Sequence, residues 1–116
     1  MITTFRKIIA VDFDGTLCED NWPNIGAPNH EVINYIKSEK VKGAAIILWT
    51  CRCNGDKSGH DLDKAVEWCA QQGLEFDAIN ENVPEQIRAF GRSTRKVYAD
   101  EYIDDKCKTG FKLPFT

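Results

Sequence analysis

The stretch Ile8-Ile9-Ala10-Val11-Asp12-Phe13-Asp14-Gly15-Thr16-Leu17 decides how the chain is read. Four consecutive apolar residues run without a polar interruption into two carboxylates, and a glycine follows. An unbroken, largely β-branched run of this kind reads as a strand covered on both faces, as in the centre of a parallel sheet. Such a strand delivers its last residues to the carboxyl edge of the sheet, where open α/β folds bind their ligands. Gly15 suits a sharp turn at that edge, because it takes positive φ without a Cβ clash. Asp12 and Asp14 then stand close together at the mouth of a crevice. Two like charges at that spacing call for a cation between them, or for a task that uses one of them protonated. An acidic strand end followed by an ordinary turn is the plain alternative.

Outward from this stretch, the chain alternates strands with helices. The first strand is expected from about Lys7 to Phe13. Cys18 to Ala27 holds Pro23, Gly26 and several Asn and Asp residues, and reads as a loop. Pro28 and Asn29 suit a helix start, and Glu31 suits the positive end of the helix dipole. Val32, Ile33, Ile36 and Val41 follow at roughly helical spacing, with Gly43 as the stop. Ala44-Ala45-Ile46-Ile47-Leu48-Trp49 is a second unbroken apolar run, ending in Thr50-Cys51-Arg52. A polar loop from Cys53 to Gly59 leads to a second helix, with Leu62, Ala65, Val66 and Cys69 on one face and Gly73 at its close. Phe76 to Ile79 is a short third strand, and Pro84 to Phe90 a third helix. Val97 to Ala99 and Tyr102-Ile103 are the last strand material. The tail alternates Phe111, Leu113 and Phe115, which suits a short edge strand or packing on the core.

This alternation implies βαβ units with right-handed crossovers and a parallel sheet with helices on both faces. All strands of a parallel sheet point the same way, so Asp12, Thr50 and Asp104, each at the carboxyl end of a strand, can meet at one edge. The strand order does not follow from the pattern.

Composition bounds the rest. With 116 residues, 42% hydrophobic, the chain is expected to form one domain, and no repeat or low-complexity linker divides it. The formal charge of -3 and the scattered Lys and Arg give no electrostatic footprint for nucleic acid. No apolar run approaches a membrane span, and Met1 to Lys7 lacks the features of a signal peptide. Five cysteines (Cys18, Cys51, Cys53, Cys69 and Cys107), odd in number and without a Cys-x-x-Cys pair, suit free thiols in a reducing cytoplasm.

Four of these segments together resemble the haloacid dehalogenase-like (HAD) superfamily. Asp12-Phe13-Asp14-Gly15-Thr16 matches its first motif, and Ile46 to Thr50 its second, an apolar strand ending in a hydroxyl residue. Lys96 stands for the third motif, the basic residue before the last core strand, although Arg92 and Arg95 lie beside it. Tyr102-Ile103-Asp104-Asp105 looks like the acidic fourth. The motifs occur in the family's order between Lys7 and about Lys106.

The resemblance implies a three-layer α/β/α, Rossmann-like domain. Leu17 to Ala45 and Cys53 to Arg95 leave no room for a cap domain. It also implies a magnesium-dependent phosphatase working through an aspartyl-phosphate. On that reading Asp12 is the nucleophile and Asp14 the general acid and base. Thr50 and Lys96 hold the transferring phosphoryl oxygens, and Gly15, Thr16 and Arg52 lie on the substrate side, unless Arg52 merely pairs with a neighbour. Mg²⁺ is expected on the Asp12 side chain, the Asp14 carbonyl and Asp104, with Asp105 in support. Asp100 and Asp104 would fit another spacing of the fourth motif, and Asp100 also reads as a surface turn residue. The expected partner is a phosphorylated substrate at an open site, which a second copy of the chain could cover. Trp22, in the loop after the first motif, either lines the entrance or is pinned into the core.

Other classes stay in view. A receiver-like signalling domain also uses a phosphorylated aspartate, a Thr and a Lys, but places its phosphoacceptor after the third strand, where this chain has Asn80-Glu81-Asn82. A zinc module on Cys51, Cys53, His60 and Cys69 has poor spacing. A cysteine-dependent phosphatase lacks an Arg at the required distance from Cys51 or Cys53. A non-catalytic binding module would not need the motif residues that are retained.

Overall fold

A computed structural model of the chain describes residues 6–55 and 59–106. The alternating tail, Cys107 and most of the stretch before Lys7 lie outside the described residues. Strand β1 (Ile8–Val11) is followed by a hairpin of β2 (Cys18–Asn21) and β3 (Asn24–Pro28), then by helix α1 (His30–Val41) and strand β4 (Ala45–Leu48). A two-residue ladder pairs β5 (Asn54–Gly55) with β6 (Gly59–His60) ahead of α2 (Asp61–Gln71). Strand β7 (Ala78–Ile79), helix α3 (Pro84–Phe90) and strand β8 (Glu101–Ile103) complete the described chain. The result is a compact α/β fold with one four-stranded parallel sheet in the order β7-β4-β1-β8.

The apolar runs explain the centre of that sheet. All four residues of β1 and of β4 are buried, so each strand is covered on both sides. Ile9 and Val11 pair in register with Ile46 and Leu48, and pack with Ile33 and Ile36 of α1 and Ala65 and Cys69 of α2. Ile8 and Ala10 turn the other way, and join Ala45, Ile47, Ala78, Val97, Ala99 and Val83, the residue that heads α3. Strand alternation thus divides the core into two clusters. From β1 the chain moves through β4 to β7 on one side, then returns past β1 to lay down β8 on the other. Right-handed crossovers run in opposite directions put their helices on opposite faces, which accounts for α1 and α2 in one cluster and the head of α3 in the other.

The helix ends follow local chemistry. The Asn29 side chain accepts the Val32 amide at 3.4 Å, and Glu31 lies in the first turn of α1. Pro84 opens α3, and Gly91 closes it in the left-handed region, its amide donating to the Ile87 carbonyl at 2.8 Å.

Three segments differ from the sequence reading. Cys18 to Pro28 is a β-hairpin rather than a loop, with Asp20 opposite Ile25 and Asn21 opposite Asn24. Its mostly exposed ribbon needs no apolar alternation, so nothing in its polar, Pro- and Gly-bearing sequence announced strands. Val41 is 90% exposed, because it lies five residues beyond Ile36 and on another side of the helix. Val97 and Ala99 are buried in the core but form no strand, and β8 starts only at Glu101. Among the described residues, no helix is long and apolar enough to cross a membrane.

Candidate active site

The sheet places its reversal of strand order between β1 and β8, and in open α/β sheets that switch point opens a crevice at the carboxyl edge. Asp12 leaves β1 there, its amide donating to the Ile103 carbonyl at 2.9 Å. Asp104 and Asp105 leave β8 directly opposite. One carboxylate oxygen from each of Asp12, Asp104 and Asp105 lies within 4.8 Å of the others. Residues 92 positions apart in sequence are thus neighbours because β1 and β8 pair in parallel register, Val11 against Ile103.

Two residues of the first turn hold this arrangement together. The Thr16 hydroxyl, in a side chain that is buried, accepts the Asp105 amide at 3.1 Å. Gly15 has φ +83°, and a Cβ there would lie 2.2 Å from Asp105 Oδ2. A glycine is needed for the turn and for the carboxylate's room alike. Gly15 and Thr16, expected on the substrate side, thus also shape the seat of Asp105, while their own amides donate to the Cys18 and Phe13 carbonyls. Asp104 accepts the Lys106 amide at 2.8 Å, which orients its carboxylate.

Burial pushes the Asp12 carboxyl up to about 6 from its ordinary 3.8, against the opposing effect of the Phe13 amide; repulsion from Asp104, Asp105 and Asp14 adds to the rise. Three oxygen donors of like charge, one of them half-buried and hard to ionise alone, are a set that a hard divalent cation fits. Among the described residues no comparable group forms from Cys51, Cys53, His60 and Cys69. Cys69 is buried in the core, where desolvation pushes its thiol up to about 12.

Asp14 is engaged differently. Both of its oxygens accept from Arg52, at 2.9 Å from Nε and 2.8 Å from an Nη, a bidentate fork. The Arg52 side chain is 1% exposed. It also donates to the carbonyls of Pro23 and Asn24 at 3.3 and 2.9 Å, and its guanidinium lies 5.0 Å from the centre of the Phe13 ring. Of the two roles weighed for Arg52, the structure has the pairing with a neighbour, and it ties Asp14 to the β2–β3 turn.

Thr50 follows β4. Its hydroxyl accepts the Arg52 amide at 3.0 Å, and its own amide donates to the Asn80 side chain at 2.8 Å. Asn80 has φ 55°, and shares with Asp12, Trp49, Thr50, Cys51 and Asp104 a cavity of about 390 Å³. Sequence reasoning noted Asn80 only as the exit of the third strand. A residue type that tolerates positive φ, at the carboxyl end of a parallel strand, was the available signal. Its neighbour Asn82 is buried, and braces the following segment through Thr94 and the Tyr98 amide. A second cavity, of about 270 Å³, is lined by Asp14, Asp20, Trp22, Cys51 and Arg52. Cys51 belongs to both.

Lys96, expected at the site, and Asp100, weighed both as a ligand and as a surface turn residue, lie elsewhere. The Lys96 ammonium sits 5.7 Å from the centre of the Tyr102 ring, and Lys96 does not line either cavity. Asp100 is at the opposite edge of the sheet: its carboxylate accepts the Ile8 amide at 2.8 Å and the Tyr98 hydroxyl at 2.9 Å, while its amide donates to the Ile8 carbonyl. It anchors the start of β1 and stands apart from the Asp12 cluster.

No family model matches the chain, and no curated protein matches it. A solved structure does: the conserved protein coded by a locus of Bacteroides thetaiotaomicron is 38% identical, with a TM-score of 0.74. The match covers 94% of this chain and 84% of that one.

Proposed function

We propose that the chain, which belongs to the same family as that conserved Bacteroides thetaiotaomicron protein, is a phosphatase of the HAD superfamily, acting on phosphoric monoesters through an aspartyl-phosphate on Asp12. The observation that carries the reading is the meeting of Asp12, Asp104 and Asp105 within 4.8 Å at the switch point of a parallel sheet, beside Thr50. The finer architecture belongs to the same proposal: a three-layer, capless domain, with α1 and α2 over one face and α3 over the other.

Phosphoryl transfer requires an in-line nucleophile, cancellation of phosphate charge and a proton for the leaving oxygen. Asp12, held at the strand end, attacks phosphorus; the new Asp12–phosphorus bond forms as the bond to the leaving oxygen breaks. Asp14 gives the leaving oxygen its proton, then takes one from the water that hydrolyses the acyl phosphate. Each Asp14 oxygen accepts one bond from Arg52 and keeps a lone pair for the transferred proton, while the same guanidinium holds the carboxylate to the β2–β3 turn through Pro23 and Asn24. Thr50, braced by Asn80, offers its hydroxyl to a phosphoryl oxygen. Lys96 serves the same oxygens only if its segment swings in from Tyr102. Asp12 and Asp104, with Asp105 beside them, would hold Mg²⁺, which when bound supplies the positive charge that lets a carboxylate approach a phosphate dianion.

The test is release of p-nitrophenol from its phosphate ester by the wild type and Asp12→Asn, with Mg²⁺ and with EDTA. Magnesium-dependent release that disappears in the variant is expected. Release that persists in Asp12→Asn removes the nucleophile assignment.

A further inference from the structure

An exposed tryptophan is uncommon, since burying its ring is worth so much. Trp22 is 59% exposed, yet it does not sit on a loose loop. The next two residues, Pro23 and Asn24, are bound through their carbonyls by the buried Arg52, and the same guanidinium holds Asp14. The Trp22 amide donates to Asp20 at 3.4 Å. The turn that carries the ring is thus fastened to the second aspartate of the site, and Trp22, Asp14, Asp20 and Arg52 line one cavity. Trp49 lines the other cavity with Asp12 and Asp104, and Cys51 lines both. A phosphate ester bound at Asp12 would therefore direct its leaving group past one indole towards another.

The charges narrow the choice. Asp12, Asp14, Asp20 and Asp104 all contribute carboxylates to these cavities. Among the described residues Arg52 is the one cation lining them, and its Nε and both of its terminal nitrogens already donate to Asp14 and to the hairpin carbonyls. A leaving group with a second phosphate or an acidic peptide would meet repulsion; a neutral, planar ring meets an aromatic face. We propose that the substrate is a nucleoside monophosphate, its phosphate at Asp12 and its base stacked on Trp22. This deepens the phosphatase reading and rests on it for the place of the phosphate.

Binding separates the two ideas. Dissociation constants for a purine nucleoside 5′-monophosphate and for ribose 5-phosphate are measured by calorimetry on the Asp12→Asn protein with Mg²⁺. The measurements are repeated with Trp22→Ala or Trp22→Phe added. Stacking of a base on an aromatic side chain predicts that Trp22→Ala weakens the nucleotide by about tenfold. Trp22→Phe should stay within about threefold, and ribose 5-phosphate should be unaffected by either change. Equal binding of nucleotide and ribose 5-phosphate, or an equal loss of both in Trp22→Ala, overturns the proposal. Trp22-dependent nucleotide binding by a wild type that releases no phosphate upholds base recognition and removes the phosphatase reading instead.

Discussion

Asp12 stands in its site at a cost, and removing its charge should stabilise the metal-free protein. The difference between about 6 in the fold and the ordinary 3.8 corresponds to a ceiling of about 3 kcal/mol above pH 6. Water in the open crevice screens part of this, so about half is expected in practice, or roughly 5–10 °C in Tm for a domain of this size. Asparagine is nearly isosteric and can still accept the Phe13 amide that the carboxylate accepts. The sign follows from linkage. The folded state binds the Asp12 proton more tightly than the unfolded chain, so the wild type loses stability as pH rises from 3.8 through 6 and regains it as pH falls. The assay is thermal unfolding of wild type and Asp12→Asn in EDTA between about pH 4 and pH 8, the window that this difference defines. The variant should unfold at a higher temperature near pH 8, and the gap should close towards pH 4. Millimolar Mg²⁺ should then raise the wild type more than the variant, because the cation offsets the repulsion only where the third carboxylate remains. A variant less stable than the wild type near pH 8, or a gap that ignores pH, would refute the argument that burial and like charge strain this site.

Arg52→Ala leaves the Pro23 and Asn24 carbonyls and the Asp14 carboxylate without their donor, and should cost about 2–4 kcal/mol by urea denaturation, discounted from a fully buried pair because Asp14 is partly exposed. Asp100→Ala removes the acceptor of the Ile8 amide, and should cost about 1–2 kcal/mol while leaving Mg²⁺ affinity by calorimetry unchanged; a large loss of affinity would return Asp100 to the metal site.

What was legible in the sequence had a local cause. The runs Ile8–Val11 and Ala45–Leu48 announced buried parallel strands because both faces must be apolar, and parallel direction alone put Asp12, Thr50 and Asp104 at one edge. Asn29, Pro84, Gly43 and Gly73 announced helix ends through their own backbone preferences. What stayed hidden depends on partners far along the chain. Asp14 and Arg52 are 38 residues apart, and neither residue type says which counterion it will find. Asp100 carries the same functional group as Asp104 four residues on, and only the pairing of β1 with β8 decides that one meets the Ile8 amide and the other the Asp12 carboxylate. The hairpin after Leu17 was missed for a different reason: an exposed ribbon carries no hydrophobic code.

The clasp of Thr16 on Asp105 spans 89 positions. Contacts of such separation close late, after the nearer β1–α1–β4 and β4–α2–β7 units have formed, because the long loop must be ordered before it is rewarded. During synthesis the first aspartate emerges early, but it has no companion carboxylates until β8 has docked. The cluster of Asp12, Asp104 and Asp105 is complete only once β8 is in place, so on the function proposed above cation uptake would report that folding has finished.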